Sequence, residues 1–207
     1  MDIDRVLDAL KRNNMDAVFL KSGEEALEKV RGMLKKGASV ASGGSMTLRE
    51  TGIYQLITNG DYDYFDRTKD DRATNKAFEA DYYLAGCNAL TENGELYNVD
   101  GFANRISAIT FGPKKVIIVC GVNKIVKDLD AAVLRVKTKA APLNAKRLGC
   151  NTYCAANGRC VSLLKDNPSM TDGCSSPERI CCSYCINAQQ RIKNRITVII
   201  INEELGL

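Results

Sequence analysis

The chain has 207 residues, of which 45% are hydrophobic and 26% charged, and its formal net charge is +4. This length suits one well-buried core, and the composition excludes a disordered chain. The mild charge does not indicate a nucleic-acid partner, and no apolar run approaches the roughly 20 residues that span a bilayer. We therefore expect one domain over residues 1–207, with no nucleic-acid or membrane partner.

The cysteine and histidine counts narrow the chemistry. The N-terminus begins an amphipathic pattern and lacks the apolar core of a signal peptide, which predicts a cytoplasmic protein. In a reducing compartment, nine cysteines favour metal binding or redox chemistry over disulfides, and an odd number cannot pair completely. Because the chain has no histidine, any metal must be held mainly by sulfur.

The first part of the chain alternates predicted helices and strands. Apolar periodicity predicts a helix over residues 2–13, and the apolar run 17–20 predicts a buried strand. A capping box over 22–25 starts a second helix. A short strand over 38–41 then leads directly into the glycine-rich turn 42–45.

This turn is the first candidate site. Gly43 and Gly44 allow the backbone to approach a ligand closely, and Ser45 or Thr47 can cap the next helix. Free N–H groups at a helix start attract phosphate or carboxylate. Ordinary turn chemistry explains the same residues equally well.

The later elements continue the alternation. They are a helix over 72–80, a strand over 82–86, a hairpin with arms 87–91 and 95–99 around Asn93-Gly94, a strand over 116–120, a helix over 128–139, a short helix that starts at Pro142 and a strand over 196–201. Continuous apolar strands separated by helices predict an α/β fold with a mostly parallel sheet and helices on both faces.

Residues 150–185 form a cysteine-rich segment that we expect to bind metal. It contains seven of the nine cysteines: Cys150, Cys154, Cys160, Cys174, Cys181, Cys182 and Cys185. Thiolates suit zinc and iron–sulfur clusters, both of which take tetrahedral sulfur coordination. The short pairs Cys150-x₃-Cys154 and Cys182-x₂-Cys185 favour zinc, and spacing alone does not choose the ligands.

The other cysteines and the nearby arginines have simpler expected roles. Cys87 and Cys120 lie in or beside predicted strands and fit small buried apolar residues. Four arginines would offset the negative charge of a thiolate-bound centre: Arg147, Arg159, Arg179 and Arg191.

Several stretches resemble the lactate-utilisation (LUD) domain family. They are NALTENG (88–94), NVDG (98–101) followed by Asn104-Arg105, and FGPKKV (111–116) followed by GVNK (121–124), together with the glycine-rich turn and Glu204-Leu205-Gly206. The resemblance implies a fold related to the ribose-5-phosphate isomerase and CoA-transferase group. It also implies a site for a small organic anion or a phosphorylated ligand. Its residues would be Gly43, Gly44 and Ser45, faced by Asn88, Asp100, Asn104, Arg105 and Lys124.

The cysteines resemble those of one short branch of this family. The match implies Cys154, Cys160, Cys174 and Cys181 as ligands of one 4Fe-4S cluster, with zinc as the alternative metal. Two departures stand out: residues 161–173 are an insertion, and Tyr153 stands where a proline usually precedes the first cysteine.

The resemblance implies a role in lactate utilisation or a related organic-acid redox process, alongside an oxidoreductase partner protein. Two other functions stay open. One is an enzyme for a sugar phosphate or a CoA ester, with Glu50 or Asp100 as general base and a structural zinc. The other is a regulatory module whose cluster acts as a sensor.

Overall fold

The computed structural model describes residues 2–70 and 72–207, and within them the chain forms two β-sheets with flanking helices. The strands are β1 (Asp16–Leu20), β2 (Ser39–Ser42), β3 (Asp63–Tyr64), β4 (Tyr82–Ala85), β5 (Ala89–Thr91), β6 (Leu96–Asp100), β7 (Lys115–Gly121), β8 (Ile125–Val126), β9 (Ser183–Asn187) and β10 (Ile196–Ile201). The α-helices are α1 (Ile3–Arg12), α2 (Gly23–Met33), α3 (Met46–Glu50), α4 (Ile53–Asn59), α5 (Ala73–Lys76), α6 (Asn104–Thr110), α7 (Leu129–Arg135), α8 (Ala141–Arg147) and α9 (Tyr153–Asn157).

The main sheet is six-stranded and wholly parallel, in the order β1-β10-β7-β4-β2-β3. Its inner strand β10 is rich in β-branched residues, which pack well on a pleated surface covered on both sides. Val198 lies between Ala17 of β1 and Ile118 of β7. The predicted α/β class and mostly parallel sheet are confirmed.

Helices cover both faces of this sheet. Helices α2, α3 and α4 pack on one face, where Leu48 and Ile53 are fully buried against strand residues such as Val119. Helices α1 and α6 pack on the other face. The predicted capping box starts α2: Ser22 Oγ accepts from Glu25 N at 3.4 Å, and Glu25 Oε2 accepts from Lys21 N at 2.8 Å.

A second, four-stranded sheet in the order β8-β5-β6-β9 was not predicted. The hairpin at Asn93-Gly94 is present as β5 and β6, and Gly94 takes a φ of +77°, which glycine adopts without steric cost. Strand β9 comes from the cysteine-rich segment and pairs with β6, so that Asp100 lies opposite Ser183. Strand β9 therefore pairs the cysteine-rich segment with the hairpin, and its cysteine made this strand hard to recognise from the sequence.

One long helix supports the cysteine-rich segment. Helix α7 continues through a single π-helical turn, Val136–Ala140, into α8. Pro142, which was predicted to start a separate helix, instead lies in the first turn of α8 with no break before it. The π turn shifts the hydrogen-bond pattern just before a residue without an N–H group, and such turns are frequent at functional sites. No helix in the described ranges is long and apolar enough to cross a membrane.

Candidate functional site

Four of the seven clustered cysteines line one cavity. They are Cys154, Cys160, Cys174 and Cys181, the same four that the family resemblance implies as ligands. Most of the other residues in its walls are apolar or aromatic: Tyr97, Val133, Val136, Ala141, Val161, Met170 and Tyr184. The π turn of the long helix supplies Val136 and Lys137 to this wall.

Local hydrogen bonds position each of these cysteines. Cys154 lies in α9, whose first turn is capped by Thr152 Oγ1 accepting from Ala155 N at 3.3 Å. Cys160 N donates to the Lys137 carbonyl at 2.8 Å, which fixes that loop against the π turn. Arg179 holds the other two, because its guanidinium donates to the carbonyl oxygens of Cys181 at 2.8 Å and Cys174 at 3.3 Å.

The three remaining cysteines of the segment do not line the cavity. Cys182 is exposed, and its thiol donates to the Arg179 carbonyl at 3.2 Å. Cys185 lies in β9 with its Sγ 3.3 Å from Thr110 Oγ1. Of the two short pairs that favoured zinc on spacing, Cys150 and Cys154 are therefore split between the surroundings and the cavity, and Cys182 and Cys185 both lie outside it.

The cavity wall contains a hydroxyl and an ammonium group that suit a negatively charged occupant, and one carboxylate, Asp172, that is paired with Lys165 at 3.3 Å. The Tyr97 hydroxyl is buried and has no hydrogen-bond partner among the described residues. Lys137 is also buried, and its Nζ donates to Ser162 Oγ at 2.9 Å and the Ser169 carbonyl at 2.7 Å, both of them uncharged. Neither residue was predicted, because an isolated Tyr and an isolated Lys carry no motif.

Only some of the arginines that were predicted to surround the cysteines lie beside them in the structure. Arg179 braces the cysteine loop as described above. Arg147 instead donates to the Asn144 side chain on α8 at 2.7 Å. Arg159 and Arg191 are exposed. Lys137 provides the buried positive charge that the arginines were expected to supply.

The four thiols fit a sulfur-ligated centre, although they are spread around the cavity. Within residues 2–70 and 72–207, no three Cys, Asp or Glu side chains lie close enough to hold a metal ion as they stand. Burial raises the pKa of Cys181 to about 11, and the nearby thiols of Cys154, Cys160 and Cys174 disfavour its thiolate further. A cationic centre would reverse both effects, because thiolates are the form that binds metal. The ligand assignment stays a prediction.

The glycine-rich turn borders a second cleft through Ser42. The lining includes Ser42, Arg67, Thr74, Tyr83 and Asn104. A Cβ at Gly44 would lie 3.4 Å from Arg67 Nη2. Arg67 forms no ion pair within the part of the chain that the structure describes, so its charge is available to a ligand. Burial raises the pKa of Tyr83, which keeps its hydroxyl protonated.

The two glycines meet different neighbours. A Cβ at Gly43 would lie 2.9 Å from Arg105 Cδ and 3.1 Å from Tyr83 Oη, so this position has no room for a side chain. Ser45 caps α3, its Oγ accepting from Leu48 N at 3.3 Å. Of the predicted binding residues, Asn104 lines this cleft, whereas Gly43 and Gly44 lie beside the lining residues Tyr83 and Arg67.

Three other predicted binding residues, Asn88, Asp100 and Arg105, are joined by hydrogen bonds that Arg105 donates. Arg105 donates to Asp100 Oδ1 at 2.5 Å and to the side-chain oxygens of Asn88 at 2.9 Å and Asn98 at 2.6 Å. It also donates to the carbonyl oxygens of Gly86 and Val99 at 3.1 Å. Asp100 Oδ2 accepts from Ile106 N in α6 at 3.0 Å. This Arg105 cluster is an internal support beneath Gly43.

Lys124, the last predicted binding residue, does not line the cleft. It follows β7 in a short 3₁₀ turn and is 5% exposed. Its Nζ borders Gly206, near the Oγ1 atom of Thr47.

Comparisons with known proteins assign the family. The family model described as LUD domain matches residues 3–201. A DUF162 family protein from Deinococcus radiodurans has a similar structure, with a TM-score of 0.55, 14% identity, and coverage of 97% of this chain and 96% of that one.

Other solved structures are similar over part of the chain. eIF2B beta from Chaetomium thermophilum has a TM-score of 0.38 and 15% identity, with 61% of this chain and 47% of that one covered. Ribose 5-phosphate isomerase from Plasmodium falciparum has a TM-score of 0.34 and 15% identity, with 51% and 52% covered. No curated protein matches the chain. Because the LUD domain model spans nearly all of the sequence, the chain belongs to the LUD domain family.

Proposed function

We propose that this protein carries a 4Fe-4S cluster in the cysteine cavity and acts in lactate utilisation or a related organic-acid redox process. The observation that carries the proposal is that Cys154, Cys160, Cys174 and Cys181 line one apolar cavity while the other clustered cysteines do not. When bound, such a cluster supplies one-electron transfer. An oxidoreductase partner would exchange those electrons.

The spread of the thiols favours a cluster over a single ion. Zinc binds thiolates at about 2.3 Å, so its ligand sulfurs must converge closely. A four-iron cluster binds each thiolate through a different iron, so its ligand sulfurs stand farther apart. The four cysteines line one cavity, and no three of them converge closely enough to hold a single ion as they stand, which supports the wider arrangement.

The protein's own groups would tune such a centre. The unpartnered Tyr97 hydroxyl can donate a hydrogen bond to a sulfur, and the buried Lys137 ammonium offsets negative charge. Hydrogen bonds to sulfur and nearby positive charge both raise the reduction potential of a thiolate-ligated cluster. The apolar wall keeps water away from it.

The experiment is anaerobic purification followed by measurement of iron, sulfide and zinc in the wild-type protein and two variants. Cys174→Ser should lose the iron and sulfide, because it removes a cavity thiol. Cys182→Ser is the matched control, because its thiol is exposed and outside the cavity, and it should keep both. About one zinc per chain and no iron would show that the site holds a structural zinc ion instead of a cluster. Full iron and sulfide content in Cys174→Ser would refute the ligand set.

We further propose that the cleft at the glycine-rich turn binds a small organic anion or a phosphorylated ligand. Arg67 contributes the charge, while Ser42, Tyr83 and Asn104 contribute hydrogen-bonding groups. Gly44 has no side chain, and a Cβ there would lie 3.4 Å from Arg67 Nη2, so the glycine leaves the Arg67 guanidinium uncovered.

Inorganic phosphate is the probe for this cleft, with binding measured by calorimetry. Arg67→Gln should weaken phosphate binding by about tenfold or more, because a hydrogen bond to a charged group is lost. Lys69→Gln is the control: Lys69 is a nearby exposed cation that does not line the cleft. Equal affinity in Arg67→Gln and wild type would refute the site.

A further inference from the structure

The positive charge of the chain is concentrated in one segment. Residues 131–165 contain seven lysines and arginines and no aspartate or glutamate, whereas the whole chain has a net charge of +4. The rest of the chain therefore has a net charge of −3. Most of the long helix formed by α7, the π turn and α8 lies in this basic segment. A surface divided in this way attracts acidic molecules to one region.

One side of the long helix faces the cysteine cavity, and the other side is exposed. Val133, Val136 and Ala141 line the cavity. On the other side, Leu134 and Leu143 are 52% and 49% exposed. Three exposed cations lie on the same side, and none of them forms an ion pair with any residue that the structure describes. We call this set of five side chains the outer face: Leu134, Lys139, Leu143, Lys146 and Arg147.

The spacing of these residues places them together. Leu143, Lys146 and Arg147 are three or four positions apart, which puts side chains on one side of an α-helix. Leu134 and Lys139 are five positions apart because the π turn, which includes Lys139, takes more residues per turn than an α-helix. Exposed leucines at helical spacing are not expected of a helix side that meets only water. The outer face is therefore one stripe of apolar and basic groups.

Hydrogen bonding connects the long helix to the proposed cluster ligands. Ala141 N donates to the Val136 carbonyl across the π turn. By the same pattern the Lys137 carbonyl would accept from Pro142, which has no N–H group. Cys160 N donates to that carbonyl instead, at 2.8 Å. Because an α-helix is about 10–12 Å in diameter, a molecule on the outer face is separated from the cysteine cavity by the width of one helix.

The composition and size of the outer face favour an acidic protein as its occupant. Helices that lie on membranes carry apolar and basic residues on different sides, whereas here both share one side. Apolar groups surrounded by polar and charged ones are typical of protein interfaces. A partner in a stable complex contributes roughly 20–30 residues, far more than this stripe offers, and smaller interfaces are typical of transient electron-transfer complexes. Opposite charge speeds and orients such encounters.

We propose that the outer face docks a small acidic electron-carrier protein. Lys139, Lys146 and Arg147 attract its acidic surface and steer it onto the helix. Leu134 and Leu143 contact apolar groups at the centre of the interface. The inference rests on the proposed function for the use of this complex, because the partner docks one helix away from the proposed cluster. The docking itself needs no metal.

The probe is a flavodoxin, a small acidic protein with one flavin, and its binding to the full-length protein is measured by calorimetry. Titrations at about 20 mM and about 200 mM salt separate long-range charge effects from apolar contact, because salt screens only the former. The wild-type protein should bind more weakly at the higher salt concentration. Cytochrome c, a small basic electron carrier, is the probe of opposite charge and should not bind.

Matched variants locate the interface. Lys146→Glu combined with Arg147→Glu should lower the affinity for flavodoxin at low salt by about tenfold or more, because like charges then face each other. Lys11→Glu combined with Arg12→Glu is the control, because it reverses another exposed lysine–arginine pair in the last turn of a helix. Both double variants have the same net charge, and the control should bind within about twofold of wild type.

A third variant tests the apolar part of the outer face. Leu143→Ser should lower the affinity by about fivefold or more at both salt concentrations, because the interface loses a leucine contact. Unchanged affinity in this variant would overturn the proposal. Equal affinity of the two double variants would also overturn it, because net charge alone would then explain the binding. So would wild-type binding to vesicles of phosphatidylcholine and phosphatidylserine without binding to flavodoxin.

The docking and the cluster are tested separately. The metal-free protein is titrated in parallel, and iron and sulfide are measured on the anaerobically purified protein. Protein that lacks iron and still binds flavodoxin through the outer face would refute the cluster and support the docking. Cluster-loaded protein whose two double variants bind alike would refute the docking alone.

Discussion

Replacing Arg105 by methionine is expected to lower the free energy of unfolding by about 3–5 kcal/mol, the typical cost of removing one partner of a buried ion pair. The Arg105 and Asp100 side chains are only 13% and 10% exposed, so little solvent screening reduces the effect. The substitution also leaves the carbonyl oxygens of Gly86 and Val99 without this donor. The estimate therefore applies to a cluster rather than to a surface pair.

Urea denaturation of the metal-free protein measures this loss. Arg67→Met is the matched control, because Arg67 is an exposed arginine that forms no ion pair with any residue of 2–70 or 72–207, and its variant should stay within about 0.5 kcal/mol of wild type. In an Asp100→Asn background the effect of Arg105→Met should shrink, with a coupling of about 0.5–3 kcal/mol. A loss below about 1 kcal/mol, together with abolished phosphate binding, would show that Arg105 is a ligand residue and not a structural one.

Three further predictions follow from single contacts. Gly43→Ala should destabilise the protein, because its Cβ would lie 2.9 Å from Arg105 Cδ. Gly32→Ala in α2 is the control, because its Cβ would meet nothing within 4 Å; it should raise the free energy of unfolding, measured by urea denaturation, by about 0.5–1 kcal/mol. The hydrogen bond from Lys114 lowers the pKa of Asp81 to about 2. The ionised carboxylate therefore stabilises the fold above about pH 4 and loses that contribution as the pH falls towards 2. The difference in unfolding free energy between wild type and Asp81→Asn should vanish over that window. Tyr97→Phe should not destabilise the metal-free protein, because the hydroxyl has no partner, but it should lower the reduction potential of the cluster-loaded protein measured by potentiometric titration.

The sequence was sufficient to predict five of the six strands of the main sheet, and the two-residue strand β3 was not predicted. Strands such as β7 and β10 are continuous apolar runs rich in β-branched residues, and their short length favours a buried strand over a buried helix. The hairpin was also predictable, because Asn93-Gly94 meets the positive φ that a tight turn needs. Strand β9 was not, since the sequence SYCIN carries no clear alternation and its pairing with β6 is set by a distant segment.

The candidate sites were predictable only in their main residues. The cysteines carry their chemistry in the residue type, so the family pattern could select the four that line the cavity. Arg67, Tyr97 and Lys137 carry no such signal, because their importance comes from burial or from neighbours far away in the chain. Arg105 illustrates the opposite case: a conspicuous motif residue whose hydrogen bonds are all made inside the protein.

Strand β6 connects the two proposed sites. Successive side chains of a strand point to opposite faces, and here Tyr97 lines the cysteine cavity while Asn98 and Asp100 bind Arg105 beneath the glycine-rich turn. The Asp100 carbonyl also accepts from Cys182 N at 3.0 Å, which ties the same residue to the cysteine-rich segment. If the proposed cluster is lost and the segment shifts, we expect the shift to reach β6, and through Asp100 the Arg105 side chain that packs against Gly43. The cysteine cavity and the glycine-rich cleft have different lining residues, and this chain of contacts is the physical connection that the structure offers between them.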